Sequence, residues 1–94
     1  MTMQTDVSAT HLTASGTVAS NPQRLRSVSY RGDGTNGSLI FRDGGASGRV
    51  LLELDVGTSD TFTIYLLLPA EGIKFSTDIY AEASHVSAFT AFWS

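Results

Sequence analysis

The chain has 94 residues, no cysteine and two histidines, so we expect one domain, residues 1–94, without disulfides or a metal staple. Six basic and nine acidic residues give a net charge of −3, and no basic stripe indicates a nucleic-acid partner. No apolar segment approaches the ~20 residues that cross a bilayer. The first residues also lack the features of a signal peptide, so we expect cytoplasmic assembly and no membrane partner.

Apolar residues recur with a period of two along most of the chain, which is typical of β-strands. The first such segment, "DVSATHL", is rich in Ser and Thr and predicts a peripheral strand. In the second, "RLRSVSY", Val28 and Tyr30 share a face, whereas Leu25 has the opposite parity. That change of parity predicts a β-bulge near Ser27.

Two alternating segments in the middle of the chain each predict a strand with an apolar face. In "RVLLELDV" the face predicted to be buried carries Val50, Leu52, Leu54 and Val56. In "DTFTIYLLLP" it carries Phe62, Ile64, Leu66 and Leu68. The second segment leaves Tyr65 and Leu67 on its other face, so we expect that face to be covered as well.

Four further segments complete the predicted strands: "SLIFR", "GIKFS", "TDIYAEA" and "VSAFTAFW". The first three align apolar residues on one face, and the last mixes apolar residues on both faces. About eight short strands separated by turn residues, with no helical period, predict an all-β fold. We expect a small antiparallel β-sandwich or barrel.

Two glycine-rich segments, "RGDGTNG" and "RDGGASG", fall between predicted strands. A phosphate loop would need a following helix and usually a lysine, and neither segment has either one. Glycine, Asp and Asn are residues that accept the positive φ angles of tight turns. We therefore predict structural turns at six glycines: Gly32, Gly34, Gly37, Gly44, Gly45 and Gly48.

The acidic and amide residues of these loops allow two other interpretations. The tripeptide Arg31-Gly32-Asp33 matches an adhesion motif, but it is short and also fits the end of a strand followed by a turn. Asp33, Asn36 and Asp43 could ligate calcium, but they lack the alternate spacing of a calcium loop. Hydrogen bonds to the local backbone are the favoured interpretation, and we expect no bound metal or cofactor.

The two histidines do not indicate an enzyme. His11 or His85 could join Asp78, Glu82 or a serine in a hydrolytic site, but the chain has no G-x-S-x-G elbow and no histidine pair at metal-ligand spacing. We expect both histidines to lie at the surface or in local hydrogen bonds, and we expect the protein not to be an enzyme.

Apolar residues on the second faces of two strands indicate a contact with another chain. The candidates are Tyr65, Leu67, Phe89 and Trp93. The aromatic residues at the C-terminal end could instead stack on sugars, so a carbohydrate-binding domain is an alternative. A small domain without covalent staples often gains stability by self-association, so we expect a homo-oligomer.

The residues "GSLIFRDGGASGRVLLELDV" and "LLLPAEGIKFSTDIYAEASHVSAFTAFWS" resemble a family of small proteins of tailed bacteriophages. The shared pattern is an apolar pair, "RDGGASG", an alternating strand ending in Asp, a Pro, "TDIYA" and a final aromatic strand. Upstream, "ASGTV" and "RLRSV" also fit, so the resemblance runs from about Asp6 to Trp93. Members of this family are small proteins encoded near virion structural genes, and the resemblance brings no catalytic residues.

The resemblance implies a structural role in the virion. We expect a capsid decoration or cement protein that binds where major capsid subunits meet, in a trimer at threefold positions. The alternatives are a tail, neck or fibre-associated module of the same virion, with other virion proteins as partners, and the carbohydrate-binding domain.

Overall fold

The computed structural model describes residues 7–58, 63–68 and 72–94, and this part of the chain is all-β. Nine strands and no helix occur in these ranges. In chain order they are β1 Ser8–Leu12, β2 Gly16–Ala19, β3 Gln23–Gly32, β4 Gly37–Asp43, β5 Arg49–Val56, β6 Ile64–Leu67, β7 Ile73–Phe75, β8 Ile79–Ser84 and β9 Val86–Trp93. None of the described segments is a helix long and apolar enough to span a bilayer.

The strands form two antiparallel sheets packed together as a small β-sandwich. The five-stranded sheet has the order β1-β9-β3-β6, and β7 pairs with β3 as well. The four-stranded sheet has the order β2-β8-β4-β5. Within the described residues, β6 pairs only with β3 and β5 only with β4, so each lies at an edge of its sheet.

The core lies between the sheets and contains residues from both of them. The largest fully buried side chains are Phe41, Phe75, Phe89, Leu25, Leu39, Ile79 and Val28. Phe41 of β4 and Phe89 of β9 meet edge to face across the core, with ring centroids 6.3 Å apart and an interplanar angle of 89°. This arrangement is favoured for aromatic pairs and ties one sheet to the other.

The predicted bulge in the second segment is confirmed. The pairing of β3 with β9 shifts between Leu25 and Ser27, so Arg26 is the extra residue of the bulge. Because of this extra residue, Leu25 and Val28 face the same side of the sheet. Both side chains point into the core and are 0% exposed. The predicted alignments of Leu39 with Phe41 and of Ile79 with Ala81 are also confirmed, since all four side chains are buried.

The predicted burial of Val50 was wrong, because β5 has an irregularity of its own. Phe41 pairs with Leu52, but Arg42 pairs with Val50, so Leu51 is inserted between the two pairs. The extra residue reverses the phase of the strand, and Val50 points outward with 41% exposure. Leu52, Leu54 and Val56 keep their predicted contact with the core.

One further difference is a strand that was not predicted. Residues Gly16–Ala19 form β2, which was not among the predicted strands. The predicted inward position of Phe62 lies outside the described residues. For the rest of that segment the prediction is confirmed: Leu68 is buried and Ile64 and Leu66 pack against the core.

Candidate functional site

The most exposed large apolar side chains of the described residues lie on β6. Tyr65 is 61% exposed and Leu67 is 70% exposed. Alternation along the strand sends Ile64 and Leu66 into the core and turns Tyr65 and Leu67 to the outer face of the five-stranded sheet. Two of the four predicted contact residues therefore lie together on one surface.

The assignment of Phe89 to a contact surface is corrected by its burial. Phe89 is 1% exposed and packs in the core against Phe41. Trp93 has the same parity on β9, packs against the core, and donates a hydrogen bond from Nε1 to Thr10 Oγ1 at 3.0 Å. Phe89 and Trp93 do share a face, but that face is the inner one, and both help to hold the sandwich together.

Phe92 is the aromatic residue of β9 that faces outward. Its ring meets the ring of Tyr65 at a centroid distance of 6.4 Å and an interplanar angle of 68°. Phe92 was not among the predicted contact residues, because β9 carries apolar residues of both parities and its outer face could not be told from its inner face. We call the surface formed by Tyr65, Leu67 and Phe92 the apolar patch.

Two serines of β3 lie beneath the apolar patch. Ser27 is opposite Leu67 on one side and Phe92 on the other, and Ser29 is opposite Tyr65 and Thr90. Because serine is small, the larger side chains stand above the sheet surface. A partner that covers the patch would contact protruding apolar side chains, with the short serine side chains of β3 between them.

A hollow of about 220 Å³ lies on the same sheet as the apolar patch. Polar side chains among its lining residues are His11, Ser29, Arg31, Thr63 and Thr90. The His11 ring and the Thr90 hydroxyl form a hydrogen bond, with 2.9 Å between Nδ1 and Oγ1. His11 is therefore in a local hydrogen bond at the surface, as predicted.

The "RDGGASG" segment is held by a reciprocal pair of carboxylates. Asp43 accepts backbone N–H bonds from Ser76 at 2.9 Å and Thr77 at 2.8 Å. Asp78 accepts in return from the amides of Gly44 at 2.8 Å and Gly45 at 3.1 Å. We call this arrangement the Asp43–Asp78 clasp, and it joins the β4–β5 loop to the β7–β8 loop.

The clasp also changes the acidity of Asp43. The backbone N–H groups of Ser76 and Thr77 stabilise the charged carboxylate and lower the pKa of Asp43, and Arg49 adds a smaller effect in the same direction. Asp43 therefore accepts backbone hydrogen bonds, but from the distant β7–β8 loop and not from its own loop as predicted. The predicted local bond is found at Asp33, which accepts from the Thr35 amide. Among the described residues, no three His, Cys, Asp or Glu side chains converge as metal ligands.

The first glycine-rich segment begins inside a strand rather than in a turn. Gly32 is the last residue of β3 and pairs with Val86, which corrects its assignment to a turn. Asp33 follows it and accepts a hydrogen bond from the Thr35 amide at 3.0 Å. The Arg31-Gly32-Asp33 tripeptide thus runs from a paired strand into a local turn.

Positive φ angles occur at three of the six predicted turn glycines. They are Gly34 at 95°, Gly44 at 109° and Gly45 at 82°. Gly37 is the first residue of β4 and pairs with Val56, so its assignment to a turn is corrected as well. Gly37 and Gly48 have little room for a side chain, since an added Cβ would collide with the Ser84 carbonyl at Gly37 and with the Asp43 carbonyl at Gly48.

The predicted partners of the histidines are engaged elsewhere. Glu82 forms an ion pair with Arg42 at 2.9 Å, and Asp78 belongs to the Asp43–Asp78 clasp. His85 lies between β8 and β9 with a φ of 58°, and its Nδ1 is 3.3 Å from Asp33. The structure therefore does not bring a histidine together with Asp78 or Glu82.

Comparisons with protein-family models, with curated proteins and with solved structures found no match to this chain. The resemblance to small phage proteins stays a prediction. The surfaces that the fold exposes are then the basis for a proposal about function.

Proposed function

We propose that this chain is a structural protein of a tailed-phage virion, a decoration or cement protein that stabilises the head lattice. The observation that carries the proposal is the apolar patch, in which Tyr65 is 61% and Leu67 is 70% exposed. The sequence resemblance to small phage proteins is the reason for placing this chain in a virion. The patch supplies a surface that a neighbouring protein would cover.

Covering the patch would be favourable because water is removed from apolar side chains. Each 100 Å² of apolar surface buried contributes about 2.5 kcal/mol before the costs of association are subtracted. One small contact of this kind is weak in isolation. Contacts repeated around an oligomer, or over several capsid subunits at once, add up because the sites are held together.

The partners in this proposal are the major capsid protein and further copies of the chain. A trimer would suit a threefold position of the lattice, with the apolar patch between copies or against the capsid. The patch lies at an edge of the five-stranded sheet, on β6, where a neighbour can approach without disturbing the core. Clamping adjacent subunits would then stabilise the head mechanically, with no chemical step.

A tail, neck or fibre-associated module is the alternative within the same virion, and it would use the same surface on a different partner. The carbohydrate-binding alternative has less support. Phe89 is in the core and Trp93 packs against it, while Tyr65 and Phe92 meet edge to face. The rings of the C-terminal strand therefore do not form one flat platform for a sugar.

The experiment compares two matched variants in binding to expanded heads that lack the protein. Leu67→Asp places a charge in the apolar patch, and Val50→Asp places the same charge at an exposed valine of the other sheet. We expect Val50→Asp to bind heads and raise their resistance to heat as the wild type does, and Leu67→Asp to do neither. Wild-type binding by Leu67→Asp, or no binding by the wild type, would overturn the proposal.

A further inference from the structure

Another hollow in the described part of the chain is lined by basic side chains. It has a volume of about 500 Å³ and is lined by Pro22, Gln23, Arg24, Arg26, Lys74 and Ser94. Three of the chain's six basic residues therefore meet in one place, although the net charge of the protein is −3. We call it the cationic hollow.

The pairing of β3 with β7 places two of these basic side chains next to each other. Arg24 and Lys74 are directly opposite each other in the register of the two strands. Side chains in such positions start from Cβ atoms about 5 Å apart, and like charges placed there destabilise a sheet. The arrangement therefore costs stability unless an anion lies between the charges.

Neither cation of this pair forms an ion pair with a described side-chain carboxylate. The ion pairs among the described residues are Arg42 with Glu82 and His85 with Asp33, and neither Arg24 nor Lys74 takes part in one. A pair of cations in a concave site, with no ion-pair partner among the described side chains, has the composition that binds an oxyanion such as a carboxylate or a phosphate.

The third cation is already oriented by a hydrogen bond. Arg26 donates from Nε to Ser94 Oγ at 2.7 Å, and its side chain is half-buried. The backbone of Arg24 exchanges two hydrogen bonds with Ser94, at 2.9 and 3.0 Å. This fixes the wall of the hollow, so less side-chain freedom is lost when an anion binds.

We propose that the cationic hollow is a binding site for an oxyanion group, either a carboxylate or a phosphate. Arg24 and Lys74 supply the charge, and Arg26 and Ser94 shape the wall. The two sources of such a group are the acidic side chains of a protein partner and a free phosphate. Three cations in one hollow do not form the extended stripe that a nucleic acid requires.

The cationic hollow shares no lining residue with the apolar patch, and it can be tested without virions. The test is an NMR titration of the purified protein, in parallel, with inorganic phosphate and with a tetraglutamate peptide. Arg24→Gln and Lys74→Gln each remove one cation of the hollow. Arg31→Gln removes one charge from the same strand β3, at its other end, and is the matched control.

We expect saturable shifts of the amides of residues 24, 26, 74 and 94 that weaken with salt. Arg24→Gln and Lys74→Gln should each weaken binding by about tenfold or more, and Arg31→Gln should bind like the wild type. A stronger response to phosphate assigns the site to a free phosphate, and a stronger response to the peptide assigns it to a protein carboxylate.

Thermal unfolding gives an independent readout that a purely structural role would not produce. In buffer without oxyanions, Lys74→Gln should unfold at a higher temperature than the wild type, because repulsion between neighbouring cations is relieved. Added phosphate or peptide should raise the midpoint of the wild type more than that of the variant. If neither anion gives a saturable shift, or if all three variants respond alike, the proposal is overturned.

Discussion

Asp43 explains why the "RDGGASG" segment contains an acid as well as glycines. Its carboxylate holds the backbone of Ser76 and Thr77, and Asp78 holds two glycine amides in return. The turn chemistry of this segment was predictable from its composition. The partner loop was not, because Asp78 is distant in sequence and only the packing of the two loops brings it near.

The Asp43–Asp78 clasp predicts a specific pH dependence of stability. Because the pKa of Asp43 is lowered in the folded protein, its contribution is fully present above the unfolded-state pKa of about 4. The contribution is lost as the pH falls through the lower folded-state value. We expect Asp43→Asn to reduce the urea midpoint at neutral pH, with the difference from the wild type shrinking in acid. A difference that grows on acidification would contradict the clasp.

Two glycines with positive φ form a matched pair for a second test. Gly45 has a φ of 82° and open space around it, whereas an added Cβ at Gly72, with a φ of 83°, would collide with the Leu25 carbonyl. Gly45→Ala should cost about 1–2 kcal/mol from backbone strain alone. Gly72→Ala should cost clearly more, as measured by urea unfolding, and equal costs would contradict the close approach at Gly72.

At the scale of a strand, β9 divides its aromatic residues between two roles. Phe89→Ala should lower the free energy of unfolding by about 3–5 kcal/mol, because it leaves a cavity in the core. Phe92→Ala removes the same side-chain type from the outer face and should cost much less. Chemical denaturation of the two variants tests this, and equal destabilisation would show that the faces of β9 are wrongly assigned.

Most of the strands followed from the period of two in the sequence, since alternation is imposed by a sheet with one buried face. β2 was missed because Gly16–Ala19 is short and has little apolar alternation. The position of Val50 was missed because an inserted Leu51 reverses the phase of β5. Bulges depend on the partner strand, so only a change of parity such as that at Leu25 reveals one in advance.

Two of the four predicted contact residues, Tyr65 and Leu67, were predictable from the same alternation. Tyr65 and Leu67 alternate with residues that are clearly apolar, so their outward direction was predictable. On β9 both parities carry apolar residues, and Phe89 was predicted at the contact surface although it is buried and the half-buried Phe92 is the residue that faces outward. The cationic hollow could not be predicted, because Lys74 reaches Arg24 only through the pairing of β7 with β3.

At the scale of the whole molecule, the apolar patch predicts self-association in solution. Light scattering at micromolar concentration should give an oligomer for the wild type and for Val50→Asp. Leu67→Asp should shift the mass to that of the monomer while its circular dichroism stays β-rich. A monomeric wild type would exclude a preformed oligomer and leave assembly on the capsid surface itself.

In the proposed function, this β-sandwich covers a junction of the head lattice with its apolar patch. A cryo-electron microscopy reconstruction of whole particles tests it most directly. We expect density for the sandwich on the capsid where subunits meet, with Tyr65, Leu67 and Phe92 turned toward a neighbouring chain. Density only at the tail, or a capsid-bound protein whose patch faces solvent, would contradict it.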